Sequence, residues 1–314
     1  MKKVPVLLNF YGLSNGSVNL FTGQLSYTVL NDLTFQEYSR RKTFWTLLGL
    51  YRSRALINQE LELKFDQGTI KTKTDFTGSF WCTAASHGKQ WVLQDVVLAS
   101  KKNVLLPEGL YLRTTHLITA PVIVVSDIDD TLLHSHIRNR VRKFSTLMFT
   151  TVEKRKAVQD MHDLIKRLVT LGAAPFYLSN SEQNLYPLIY RFLTHNDFPP
   201  GPLFLKQWRT IRDFFIRHKI PTRNAHKLGT LENIISLFPE KKYVLVGDNT
   251  QQDIPIYLKI AEKFPDKIKY VIIRKVYDKA ADVALVKAAE KKLHLLNIGF
   301  HYASTFSSAL SLTL

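Results

Sequence analysis

The chain has 314 residues, 45% of them hydrophobic and 22% charged, which is enough apolar sequence for one large or two ordinary domains and too much for a disordered chain. Lys and Arg number 43 against 26 Asp and Glu, a net charge of +17; a field of that sign attracts phosphates, anionic lipid headgroups or nucleic acid without choosing among them. The single cysteine, Cys82, excludes an intramolecular disulfide and a cysteine zinc cluster, and it suits a reducing compartment.

At the amino terminus, Lys2 and Lys3 ahead of Val4–Leu8 resemble the start of a signal peptide. Asn9, Gly12 and Asn15 interrupt that apolar run and no small-residue cleavage site follows, so it does not qualify as one. No segment approaches the uninterrupted apolar length of a membrane span. These features predict a cytoplasmic protein whose contact with any membrane is peripheral.

Residues 1–118 are rich in Thr, Ser, Val and aromatics. Leu61, Leu63 and Phe65 alternate with Glu62 and Lys64, residues 69–74 alternate again beyond the Asp66-Gln67-Gly68 turn, and a turn at 75–78 leads into a segment at 79–83. A further strand is predicted at 90–98. Period-two stretches separated by turn residues predict a small antiparallel β-sandwich. Between its early strands, the basic residues Arg40, Arg41 and Lys42 and the apolar run 44–51 predict a short amphipathic helix. It either packs on the sandwich or lies on a membrane surface.

The texture changes near residue 119. Pro121 opens the β-branched run Val122–Val125, the pattern of a central parallel strand covered on both faces. Beyond it come a helix near 160–168, a strand at 173–178, and a helix at 182–193 with Leu185, Leu188, Ile189 and Phe192 on one face. A short strand at 203–205 follows, then helix 230–238, strand 243–246, helix 253–264, strand 270–273 and helix 280–293. The expected fold class is α/β: a doubly wound parallel sheet over 119–314, preceded by a β-sandwich domain over 1–118.

Chemistry gathers at the strand ends. The first strand of this half stops in Asp127-Ile128-Asp129-Asp130-Thr131, and aspartates so crowded repel one another unless a cation sits among them. Asp127 and Asp129, two apart, point to the same side of an extended segment, so one can attack while the other handles a proton. The strand at 173–178 ends in Ser179-Asn180-Ser181, hydrogen-bonding groups placed to meet phosphate oxygens ahead of a helix; a helix cap is the simpler use of such a serine. The strand at 243–246 ends in Gly247 and Asp248, with Asp253 five residues on, hard oxygen ligands suited to Mg²⁺. Lys227 stands before the helix that leads into that strand, although a lone lysine is usually a solvated surface residue. His134 and His136, with His162 as companion, form a weak candidate metal group, since no fixed geometry links them.

In this order, the four strand-end motifs resemble those of the haloacid dehalogenase (HAD) superfamily. Longer segments, among them residues 176–181, 185–188, 197–203 and His226-Lys227, resemble the actin-patch phosphatidate phosphatase family more narrowly, and residues 51–81 resemble the β domain that precedes the catalytic domain in its bacterial members. The resemblance implies that Asp127 attacks phosphorus to form an aspartyl-phosphate and that Asp129 protonates the leaving group and then activates water. It implies Mg²⁺ held by Asp127, Asp248 and the backbone carbonyl of Asp129, with Asp253 orienting a metal-bound water or Lys227. Thr131, Ser179 and Asn180 would hold phosphoryl oxygens, and Lys227 would offset negative charge. Asp130 takes a supporting place.

The expected function is Mg²⁺-dependent phosphomonoester hydrolysis, with phosphatidate as the substrate the resemblance implies. Two alternatives stand beside it: the same chemistry on a soluble or nucleic-acid phosphoester, and a non-catalytic module that binds anionic surfaces. The basic stretch 138–156, with Arg138, Arg140, Arg142, Lys143, Lys154, Arg155 and Lys156 around Phe144, Leu147, Met148 and Phe149, is expected to meet an anionic membrane or a lipid headgroup.

Overall fold

The computed structural model describes residues 3–29, 33–86, 88–133, 150–206, 223–250, 252–277, 280–306 and 312. The chain opens with two long antiparallel strands, β1 (Lys3–Ser14) and β2 (Val18–Val29). Asn15 makes the turn between them, its Oδ1 accepting from the Ser17 and Val18 amides at 3.0 and 2.8 Å. The lysine-led run that opens like a signal peptide is therefore the start of β1, with Val6, Leu7 and Leu8 buried. Around this pair, β3 (Arg54–Ala55) and β6 (Ser79–Ala85) pair with β2, and β8 (Thr115–Leu117) runs parallel to β1. A second sheet has the order β5 (Gly68–Lys73), β4 (Glu60–Phe65), β7 (Leu93–Leu98). The two sheets meet through Phe10, Phe21 and Phe65, with Phe21 and Phe65 centroids 4.4 Å apart.

The helix predicted at 44–51 forms as α1 (Arg40–Tyr51). Ser39 caps it by accepting from the Lys42 amide at 3.1 Å, which satisfies one of the free donors of the first turn. Thr43, Thr46, Leu47 and Leu50 are buried at i, i+3, i+4 and i+7, so one face packs inward as the sandwich alternative required.

The second half is a six-stranded parallel sheet in the order β11 (Leu203–Lys206), β10 (Ala173–Glu182), β9 (Val122–Asp127), β12 (Lys242–Asp248), β13 (Ile268–Arg274), β14 (Gly299–Ala303). Alternation within β9 explains its unbroken apolar run: Val122 and Val124 join one core cluster, Ile123 and Val125 the other. The first cluster takes in α2 (Gln159–Thr170) and α3 (Tyr186–His195) and continues into the β-sandwich; the second takes in α4 (Arg223–Leu237), α5 (Asp253–Lys263) and α6 (Ala280–Leu295). Successive strands run outward from β9 through β10 to β11, then restart at β12 on its other side. That reversal opens a crevice between the carboxyl ends of β9 and β12, where ligands bind in open α/β sheets.

Two boundaries and one whole strand of the second half differ from expectation. β10 runs on to Glu182, and a single 3₁₀ turn at Gln183–Leu185 precedes α3, so Ser179 lies in a strand and not at a helix amino terminus. α4 begins at Arg223, ahead of the expected start at 230, and passes through Gly229; Lys227 is thus within the helix. β14 was not foreseen. Its five residues, Gly-Phe-His-Tyr-Ala, are all only half-buried, which leaves no clean apolar signal.

Candidate active site

β9 delivers Asp127 as its last residue, and β12 delivers Asp248 as its last residue on the neighbouring strand. Asp253, the first residue of α5, turns back over Gly247. A Cβ on Gly247 would lie 2.5 Å from Asp253 Oδ2, so only glycine leaves room for that carboxylate. Asp253 Oδ2 accepts from the Asp248 amide at 3.2 Å. Oxygens of Asp127, Asp248 and Asp253 all lie within 4.8 Å of one another, and all three residues are buried.

Lys227 enters from α4, fully buried, with its ammonium 2.6 Å from Asp127 Oδ1 and 2.5 Å from Asp253 Oδ1. Burial alone would lower its pKa; the two carboxylates outweigh that and hold it above the ordinary lysine value. Thr131 is also fully buried, and its hydroxyl lies 3.2 Å from Asp127 Oδ2 and 3.0 Å from Asp248 Oδ2, donating to either. Among the described residues, three buried carboxylates thus face a single buried ammonium. Burial raises Asp127 well above the carboxylate range against the pull of Lys227, with Asp253, Asp248 and Asp129 adding to the rise. Burial and Asp253 likewise push Asp248 up to about 6. Oxygen donors with unbalanced negative charge are the donor set of a hard divalent cation, so the residues present fit Mg²⁺.

Asp129 stands apart from that cluster. Its Oδ2 accepts from the hydroxyls of Ser179 at 3.0 Å and Ser181 at 2.9 Å, beside Asn180 at the end of β10. Asp130 has φ +63°, a left-handed conformation that Asp tolerates better than most residues. Its carbonyl accepts from Arg274 Nη1 at 2.6 Å.

One arginine near the site, Arg274, was not singled out from sequence, and another, Arg155, was expected with its basic neighbours to meet an anionic membrane or lipid headgroup but is buried. Arg274 ends β13 and pairs in register with Asp248; its position relative to the site was readable only once β13 was known to neighbour β12. Arg155 is buried at 9% exposure, donates to the Thr150 carbonyl at 3.0 Å, and has its pKa lowered to about 10 by burial despite the opposing charge of Asp129. His134, His136, Arg138, Arg140, Arg142, Lys143 and the apolar residues between 144 and 149 lie outside the described residues. His162 is engaged on α2, with Nδ1 3.1 Å from Asp163 and Nε2 3.3 Å from the Asp197 carbonyl.

Fold and site together define a parallel α/β protein with a buried carboxylate–lysine centre at the topological switch of its sheet. Residues 122–275 match the family model described as phosphatidate phosphatase APP1, catalytic domain, and through that segment the chain belongs to the family. It is 30% identical over 219 residues to the phosphatidate phosphatase APP1 of Saccharomyces cerevisiae, covering 66% of this chain and 36% of that protein. It is 27% identical over 156 residues to an uncharacterized protein of Schizosaccharomyces pombe, covering 49% of this chain and 25% of that one. The chain thus spans about a third or less of the length of these relatives. Among solved structures, the Pnkp1/Rnl/Hen1 complex aligns over 57% of this chain and 54% of that one with 19% identity and a TM-score of 0.35, too low to bear on fold or chemistry.

Proposed function

We propose that the chain is a Mg²⁺-dependent phosphomonoester hydrolase of the HAD type, with phosphatidate as its substrate. The observation that carries this reading is the trio of buried carboxylates facing one buried lysine at the switch point of the sheet. Asp127 is the nucleophile: its carboxylate oxygen bonds to phosphorus as the ester oxygen departs, giving an aspartyl-phosphate. Asp129, held by two hydroxyl donors, gives its proton to that leaving oxygen and then takes one from the water that attacks phosphorus and restores Asp127.

Mg²⁺ would be held by Asp127, Asp248 and the backbone of Asp129, and its charge lets a carboxylate approach an anionic phosphoryl group. Asp253 has both oxygens engaged, with Lys227 and with the Asp248 amide, which favours its positioning Lys227 over direct ligation. Ser179, Asn180 and Thr131 provide hydrogen bonds to phosphoryl oxygens, Ser179 and Thr131 exchanging the carboxylate partners they hold in the free protein. Lys227 offsets the charge that builds on Asp127 and phosphorus.

The reading is tested by phosphate release from phosphatidate in mixed micelles against a panel of soluble esters, with and without Mg²⁺. Asp127→Asn is expected to lower turnover by at least about 10³-fold and to abolish a hydroxylamine-sensitive phosphoenzyme. Full activity in that variant would remove Asp127 from the nucleophile's place. Preference for a soluble ester would keep the chemistry and replace the substrate.

A further inference from the structure

The exposed face of α1 joins basic and aromatic side chains in a pattern the hydrolytic reading leaves unused. Arg41, Trp45, Gly49 and Arg52 follow one another at i, i+4, i+8 and i+11, along the side opposite the buried Thr43, Leu47 and Leu50. Trp45 is 55% exposed, its ring edge-on to the half-buried Phe44 at 5.4 Å. Among the described residues nothing lies within 4 Å of where a Gly49 Cβ would be, so they leave that side of the helix open. From Tyr38 to Gln59 the chain carries Arg40, Arg41, Lys42, Arg52 and Arg54 and no acidic residue. Beyond the helix, Ile57 and Phe76 are 47% and 62% exposed on neighbouring loops, which the Asn58 amide and Asp75 carbonyl join at 3.3 Å. Exposed Trp45, Ile57 and Phe76 beside the cations of the 38–59 stretch, with Asp75 next to Phe76 as the acid at its edge, are unusual on a solvated surface and suit the interface of a bilayer.

This surface lies at the catalytic end of the molecule. α1 packs against the 3₁₀ turn at Gln183–Leu185, and Ser79, just beyond the loop of Phe76, donates to Gln183 Oε1 at 3.0 Å. Glu182 is close enough to Tyr51 of α1 that, after burial, its charge raises the phenol's pKa. Residues 182–185 directly follow Ser179 and Ser181, whose hydroxyls hold Asp129.

We propose that the outer face of α1, with Ile57 and Phe76, docks on an anionic lipid bilayer and presents the mouth of the carboxylate site to it. The charge complementarity is with the membrane surface: five cations uninterrupted by an anion are drawn to anionic headgroups while Trp45, Ile57 and Phe76 enter the headgroup boundary. The inference rests on the lipid-phosphate reading for its purpose, but binding needs no turnover and is tested apart from it.

The experiment is sedimentation of the full chain with phosphatidylcholine vesicles, with and without phosphatidylserine. Binding is expected only to the anionic vesicles. Trp45→Ser/Phe76→Ser and Arg41→Glu/Arg52→Glu are each expected to weaken it roughly tenfold or more, while Trp81→Ser, an exposed tryptophan on β6, leaves it unchanged. The altered side chains are exposed, so thermal unfolding and hydrolysis of a soluble ester are expected to match the parent. Unchanged vesicle binding in either double variant overturns the proposal, as does equal binding to neutral vesicles or preferential binding of RNA through the same residues. Should no ester be hydrolysed while vesicle binding follows the expected pattern, the hydrolase reading falls and the docking surface stands.

Discussion

His226 precedes Lys227 in α4, and its imidazole is held down to about 4 by burial first and by the charges of Lys206 and Lys227 after it, against a backbone hydrogen bond at Ser179. Between that value and the ordinary 6.5 the unfolded chain binds a proton that the folded chain refuses. The stabilisation from the neutral buried imidazole is therefore complete above about pH 6.5 and is lost as pH falls toward 4, by on the order of 3 kcal/mol at most. His226→Gln should flatten the pH dependence of urea unfolding in that window; an unchanged slope would show that the ring titrates normally. Gly247 makes a different point about single atoms. Its missing Cβ is the space Asp253 Oδ2 occupies, so Gly247→Ala should lower stability by about 1–3 kcal/mol in the same measurement. Both residues were quoted from sequence as parts of motifs, but their physical roles depend on what leans against them.

Within single elements, the strands of the second half were legible where alternate residues face two apolar layers, as in β9 and β12, because a strand buried on both faces has an uninterrupted apolar run. Boundaries set by polar residues were not. β10 continues through Ser179, Asn180 and Ser181 because two of those hydroxyls bond to Asp129, a partner fifty residues away that no local pattern reveals. In α4, the helix runs through Gly229 from Arg223, earlier than the expected start at 230. A Cβ on Gly229 would meet nothing within 4 Å among the described residues, so Gly229→Ala should raise stability by about 0.5–1 kcal/mol through helix propensity alone, read as an upward shift in the denaturation midpoint. The first two strands were implied ahead of residue 40 but given no bounds, for yet another reason: the alternation in β1 is masked by burial of most of its residues.

Across the whole molecule, one apolar cluster runs from the β-sandwich into the parallel sheet, and the phenols of Tyr11 in β1 and Tyr186 in α3 hydrogen bond at 2.7 Å. The carboxylate centre lies where this framework is interrupted by charge, with one buried ammonium against three buried acids. A cation that binds there only in the folded state stabilises the whole chain by mass action, about 2.7 kcal/mol at a hundredfold excess over its dissociation constant. Mg²⁺ is accordingly expected to raise the melting temperature of the parent protein and to leave that of Asp248→Asn nearly unmoved. Equal shifts in both would place the ion elsewhere. Among the described residues no helix is long and apolar enough to cross a membrane.

The sequence by itself determined the strand–helix alternation of a parallel sheet, short of its last strand, and the residue types at each strand end, because buried strands and carboxylate-rich turns follow local rules of periodicity and sterics. The tertiary structure alone decided which of those residues meet. Placing β12 beside β9 brought Asp248 to Asp127, placing β13 beside β12 brought in Arg274, and the approach of α4 buried Lys227 between Asp127 and Asp253. Strand order and helix placement depend on contacts between residues about a hundred positions apart, and charges become chemistry only at the distances those contacts impose.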